Sequence, residues 1–267
     1  MSDTFDLVDR SISRQFPEAT PRSRRQFVTG TAAALGGLGL LSLPGVARAT
    51  AKGGGGNDVQ TILNVAATAE VLATIVNTVG FRKGLGRDRV TQRNLKAAAR
   101  EELIHFRVLR DFGGKPAARR IWVPDAVFAN RTNLLSTLEV GDQIFVNAYL
   151  IATKTFGNAG NGELAVVAAE FMGVEGVHRA LARQSLGKLG NDRVFMKFCQ
   201  KENAPDAPNR GQPGFENILG AVKQLQAAGF GIGEKGAEPG RFYDFDKVKQ
   251  ATPTDPDLNT RMPVADC

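Results

Sequence analysis

Between residues 59 and 186, apolar side chains recur at intervals of three and four, the period of a helix with one buried face. The pattern predicts four long helices, over about 59–80, 94–112, 132–156 and 163–186. Gly113-Gly114, Gly157 and Gly187 stop the second, third and fourth, and Asn161 is placed to cap the start of the fourth. Shorter helices are expected over 192–201 and 215–228, and 229–267, rich in Gly, Pro and Asp, reads as irregular.

The apolar rows are interrupted in one consistent way. The first helix carries Leu63, Ala66 and Glu70 on one face, and the second carries Leu95, Ala98, Glu102, His105, Leu109 and Phe112. The third has Leu135, Leu138, Asp142, Phe145, Tyr149 and Ala152, and the fourth has Leu164, Ala168, Phe171, Glu175, His178 and Ala182. Acids and imidazoles thus sit inside the greasy stripe. A buried, isolated carboxylate costs several kcal/mol or takes up a proton instead. Four carboxylates with two imidazoles at one level are tolerable when divalent cations join them.

His105 and His178 are the only histidines of the chain, and each follows a glutamate by three residues. Glutamate fills 12 of the 267 positions, so two unrelated histidines would both show this spacing with a frequency of (12/267)², about 0.2 %. Residues i and i+3 share a helix face, so each pair can reach one ion from one side. Two Glu-x-x-His motifs plus a carboxylate from each of two further helices make the ligand set of a dinuclear site in a four-helix bundle. Glu70 precedes Glu102 by 32 residues and Asp142 precedes Glu175 by 33, a weak internal repeat of two hairpins. The candidate ligands are therefore Glu70, Glu102, His105, Asp142, Glu175 and His178, with Glu139 the alternative to Asp142. Tyr149, two turns beyond Asp142, is either a hydrogen-bond donor to a ligand carboxylate or an ordinary packed tyrosine. Glu101, Glu163 and Glu170 read as solvated helix charges, and no catalytic side chain is assigned. Gly173 and Gly176, beside the second motif, are explained by close approach of a neighbour, by room for a ligand, or by simple tolerance of glycine.

Short links make the first and second helices, and the third and fourth, antiparallel neighbours. Residues 113–131 lie between the two hairpins and can stretch to roughly 60 Å at about 3.3 Å each. Helices of ~20 residues are roughly 30 Å long, so this segment can cross the bundle from end to end. The expected fold is all-α, a ferritin-like four-helix bundle with one long crossover and an irregular C-terminal tail with short helices.

The ends add an address. Ser23-Arg24-Arg25-Gln26-Phe27-Val28 is a twin-arginine pattern, followed by an apolar stretch over 29–43 and by Ala47-Arg48-Ala49, an A-x-A cleavage site. The stretch is short and glycine-rich against the roughly 20 residues a permanent span needs, which favours a cleaved signal over an uncleaved anchor. The expected organisation is a Tat signal over 1–49, a glycine-rich linker over 50–56, the bundle over 57–188, and an extension over 189–267 packed on or trailing the bundle. Segment 1–49 holds six arginines and four acids, so its removal takes the net charge from +7 to +5. That excess forms no basic block, so nucleic acid is not an expected partner. The two cysteines, Cys199 and Cys267, form no Cys-x-x-Cys, which removes thiolate zinc and iron–sulfur sites. Gly231-Ile232-Gly233-Glu234-Lys235-Gly236 matches G-x-G-x-x-G but follows a predicted helix in a loop-rich tail, so it reads as coincidence.

The twin-arginine signal, Glu70, Glu102-x-x-His105, the run Asp142-Gln143-Ile144-Phe145-Val146-Asn147-Ala148-Tyr149, and Glu175-x-x-His178 resemble the Tat-exported ferritin-like domain proteins, a group that includes desiccation- and stress-related members. The resemblance covers about residues 57–186. It implies a di-iron or di-manganese centre, with Glu70 and Asp142 as terminal ligands, Glu102 and Glu175 bridging, and His105 and His178 as nitrogen ligands. The family pattern has glutamate where this chain has Asp142. Two functions follow as expectations. One is an exported redox protein acting on peroxide, dioxygen or ferrous iron through two iron or manganese ions. The other is a non-enzymatic envelope protein of stress tolerance whose metal is structural. The expected partners are the Tat translocase during export and a small oxidant or metal ion, in the periplasm or cell envelope; the oligomeric state is left open.

Overall fold

The computed structural model describes residues 57–190 and 214–254. The predicted export signal with Arg24 and Arg25, the glycine linker, the short helix over 192–201, and Cys199 and Cys267 lie outside the described residues.

Four long helices dominate: α1 (Val59–Arg82), α2 (Arg89–Asp111), α3 (Arg131–Asn158) and α4 (Gly162–Ser185). Each begins at a side chain that accepts from an otherwise unpaired backbone N–H. Asp58 takes Thr61, Asp88 takes Thr91, Asn130 takes Asn133 and Asn161 takes Leu164, each such cap stabilising its helix by about 1 kcal/mol. The cap at Asp88 starts α2 five residues earlier than the apolar period suggested. The helix past Gly157 ends instead at Gly160, whose φ of 74° is the left-handed geometry that closes a helix.

α1 lies along α2 and α3 along α4, and the two pairs meet through α1–α3 and α2–α4 contacts. α1 is the one described helix long and apolar enough to cross a membrane, yet 72 % of its most apolar window is buried within the protein. Ile62, Ile75, Leu134, Leu135, Phe156 and Phe171 are among the fully buried side chains.

The expectation of a mainly helical chain with short helices in its tail holds among the described residues; what it lacked is a sheet. The described residues are mostly helical but include a small antiparallel sheet in the order β2-β1-β3. β1 (Arg120–Pro124) lies within the connection between α2 and α3; β2 (Gly231–Ile232) and β3 (Gly240–Asp244) come from the tail. Ile121 pairs with Ile232 and Tyr243, and Trp122 with Gly231 and Phe242. Alternation in β1 turns Ile121 and Val123 into the core, and the pairing partners lie more than a hundred residues away, beyond any local pattern. Helix α5 (Leu219–Ala227) precedes β2, and α6 (Phe245–Val248) follows β3 and packs on α1. Phe245 is fully buried, edge-on to Phe106 of α2 at 4.6 Å. Thr252 beyond it exchanges a buried hydrogen bond with Thr78 of α1 at 2.9 Å. The glycine motif at 231–236 is a tight turn: a Cβ on Gly231 would lie 2.1 Å from the Glu234 carbonyl oxygen, and one on Gly236 2.1 Å from that of Gly229.

Candidate metal centre

The helical period brings Glu102 and His105 of α2, and Glu175 and His178 of α4, onto facing stripes; α1 adds Glu70 and α3 adds Asp142. These six side chains form two overlapping groups. Glu70, Glu102, His105 and Glu175 make one, and Glu102, Asp142, Glu175 and His178 the other; within each, one donor atom per residue lies within 4.8 Å of all the others. Glu102 and Glu175 belong to both. All six are buried, and the side chains of Glu70, Glu102 and Glu175 are fully inaccessible to solvent.

His105 Nδ1 stands 3.3 Å from Glu175, 3.5 Å from Glu102 and 3.7 Å from Glu70. His178 Nδ1 stands 3.2 Å from Glu102 and 3.5 Å from Glu175. Most of these separations exceed an N–H···O hydrogen bond. Two donors on one ion, with bonds of about 2.1 Å at right or tetrahedral angles, lie roughly 3.0–3.4 Å apart; the 3.2 and 3.3 Å separations fall in that range and the other three lie just above it. Glu70 Oε2, Glu102 Oε2, Asp142 Oδ2, both carboxylate oxygens of Glu175 and the Nδ1 of both histidines have no hydrogen-bond partner among the described residues. Buried polar atoms are normally paired, since each unpaired one costs about 1–3 kcal/mol and more when charged. An oxygen–nitrogen donor set without thiolate, aimed at a common centre, fits divalent cations such as iron or manganese.

Without cations, protons carry part of this load. Burial, and then the Glu102 charge, push the Glu70 carboxyl up to about 7. Burial, then Glu175, raises Asp142 well above the usual carboxylate range. For His105, burial alone lowers the pKa, but Glu70, Glu102 and Glu175 together lift it well above the ordinary histidine value. His178 is raised likewise, against its burial, by Glu101, Glu102 and Glu175.

The surrounding side chains hold the donors in place. Tyr149 donates its hydroxyl to Glu70 Oε1, which makes it the carboxylate partner anticipated as one of two readings. Burial and Glu70 raise its own pKa well above that of a free phenol, so it remains a donor. Phe171 stacks on the His105 ring at 4.0 Å and 27°, and meets Tyr149 edge-on at 5.6 Å. Asn77 of α1 donates to the Ala73 carbonyl at 3.2 Å and reaches Glu102 Oε1 at 3.4 Å.

Two expectations are corrected. Glu101 is not a solvated helix charge: its carboxylate lies 2.7 Å from His178 Nε2. The contact turns Nδ1 inward and orients the ring as carboxylate partners do for metal-ligating histidines. The exposed edge of α2 hid this role, because the partner lies 77 residues away. Glu139, the alternative to Asp142, lies one turn before it on α3 and is held by Arg183 at 2.5 Å and Lys188 at 2.6 Å, apart from the cluster. Glu163 and Glu170 are exposed, as read from the sequence. Gly173 is exposed, and a Cβ there would meet nothing within 4 Å, which leaves simple tolerance as its explanation in the chain by itself.

Two cavities flank the centre. An apolar one of ≈ 40 Å³ lies between α1, α3 and α5, with Tyr149 on its wall and no metal-binding group. A second, of ≈ 30 Å³, reaches Asp142 and His178. No family model, curated protein or solved structure matches the chain.

Proposed function

We propose that the four long helices form a ferritin-like four-helix bundle that holds two divalent ions, iron or manganese, in an exported protein acting on peroxide, dioxygen or ferrous iron. The observation that carries this reading is the pair of buried donor groups sharing Glu102 and Glu175, whose inward atoms lack partners among the described residues. Glu70 with His105, and Asp142 with His178, would each hold one ion, and Glu102 and Glu175, common to both groups, would serve both. Two such ions when bound supply a two-electron couple at adjacent open positions. The chain's own residues set the frame for it. Tyr149 keeps a proton on the Glu70 carboxylate edge, Glu101 fixes the His178 ring, and Phe171 fixes the plane of His105 and excludes water from that side. The twin-arginine segment suits the reading, because that route carries folded proteins with cofactors in place.

A structural role for the metal is the second reading. Complete burial of Glu70, Glu102 and Glu175 favours it, since ions there stabilise the fold whether or not they turn over a substrate. Metal analysis of purified protein tests the centre: about two ions per chain are expected, and a Glu102→Ala/His105→Ala variant loses them. Fewer than about one ion per chain, unchanged in the variant, rejects it. Peroxide turnover and ferrous oxidation by the loaded protein separate the two functions. Absence of both, with metal-dependent melting retained, selects the structural role.

A further inference from the structure

The internal repeat aligns the two hairpins residue by residue. Glu70 corresponds to Asp142, and Glu102-x-x-His105 to Glu175-x-x-His178. Carried two turns further along the first helix of each hairpin, the same correspondence sets Asn77 against Tyr149. One turn before each motif it sets Ala98 against Phe171. The larger member of each pair belongs to one end of the centre. Tyr149 bonds Glu70, and Phe171 stacks on His105. The smaller members, Asn77 and Ala98, line the ≈ 30 Å³ cavity together with Asp142 and His178. Three reductions in size (Glu to Asp, Tyr to Asn, Phe to Ala) therefore converge on one end. The outer wall of that cavity includes Asn94, Leu181 and Ser185, which are half-buried and so mark its path toward solvent.

Resting on the dinuclear reading, we propose that the two metal positions are unequal by construction: exogenous ligand enters through this cavity and binds at the Asp142/His178 position, while the Glu70/His105 position is closed. The ligand class follows from size and lining. A cavity needs about 10–15 Å³ of such volume per water, so this one admits a molecule of two or three heavy atoms, of the size of peroxide or dioxygen, and excludes larger organic substrates. Asn77, whose amide donates to the Ala73 carbonyl and reaches Glu102, stands in the cavity wall where its counterpart Tyr149 would fill the space. Asp142, one methylene shorter than its counterpart, leaves the space beside its ion.

The test uses azide as the probe and the full-length protein loaded with isotopically enriched ferric iron. Iron content is measured first; a protein that holds no iron pair overturns the dinuclear centre and this proposal with it. With iron bound, Mössbauer spectra are expected to show azide perturbing one of the two ferric sites. Ala98→Phe, which fills the cavity, is expected to weaken azide binding tenfold or more, read from the charge-transfer band, with iron content unchanged. Ala182→Leu fills the same cavity from α4 and serves if Ala98→Phe does not fold. Equal perturbation of both ferric sites, or azide affinity at the wild-type level in the filled variants, overturns the proposal while leaving the centre intact.

Discussion

At one end of the acidic cluster, Tyr149 and Phe171 press directly on Glu70 and His105; at the other, Asn77 and Ala98 occupy the corresponding positions beside Asp142 and His178 and leave a cavity. The support of the histidines differs in the same sense. His178 is held by the charge of Glu101, whereas Val174 stands at the matching position of the other hairpin and His105 is held by an aromatic stack. The two hairpins share a ligand pattern and a helical frame, yet neighbours one and two turns away close one end and leave a cavity at the other. Ligand spacing is thus separable from access: the first depends on a few positions per helix, the second on what packs around them.

The comparison breaks most severely at Phe171. Phe171→Ala removes a fully buried ring from the closed end and is expected to cost about 3–5 kcal/mol, measured by denaturant unfolding. Loss below about 1 kcal/mol would show that the closed end is not packed as described.

Next in size is the charge of Glu70. Its pKa of about 7 in the folded protein lies above the ordinary 4.5, so the native state without metal binds the proton more tightly than the unfolded chain. That contribution is present below the ordinary value and is lost as pH rises toward and through 7. The raised pKa values of His105 and His178 act in the same direction at higher pH. Chelator-treated protein should therefore lose stability from about pH 5 to 8, whereas metal binding, which displaces protons, tightens over the same range. Glu70→Gln should stabilise the metal-free protein at pH 8 and flatten its pH profile. Thermal melts with and without chelator across pH check both signs.

Glu101→Gln sharpens the contrast at the open end. Loss of a carboxylate partner to a ligating histidine lowers metal affinity about 10- to 100-fold, and competition with a chromogenic chelator reads it. Substitution of Val174, at the matching position of the other hairpin, by Ala should leave the affinity within about threefold, since no carboxylate partner is lost there.

The smallest effect on the metal belongs to Glu139. Glu139→Gln breaks a largely buried ion pair with Arg183 but should remove no metal, whereas Asp142→Asn should lower the metal content measurably. The reverse result would return the ligand role to Glu139.

What the sequence determined by itself was local. Three- and four-residue periodicity is a property of one helix, so the four long helices, their buried stripes and the presence of Glu70, Glu102, His105, Asp142, Glu175 and His178 on those stripes were legible from neighbours in the chain. Tertiary structure decided whatever depends on residues distant in sequence. It put Asp142 in the buried cluster and Glu139 beside Arg183 and Lys188, and it gave Glu101 to His178. It joined β1 to strands more than a hundred residues away. The cavity at Asp142 belongs here too: nothing in the helices that carry Asn77 and Ala98, taken singly, sets these two side chains beside the same space. Only when α1, α2, α3 and α4 meet does missing volume on two of them add to a shorter side chain on the third, because empty space is a property of packing and not of any one segment.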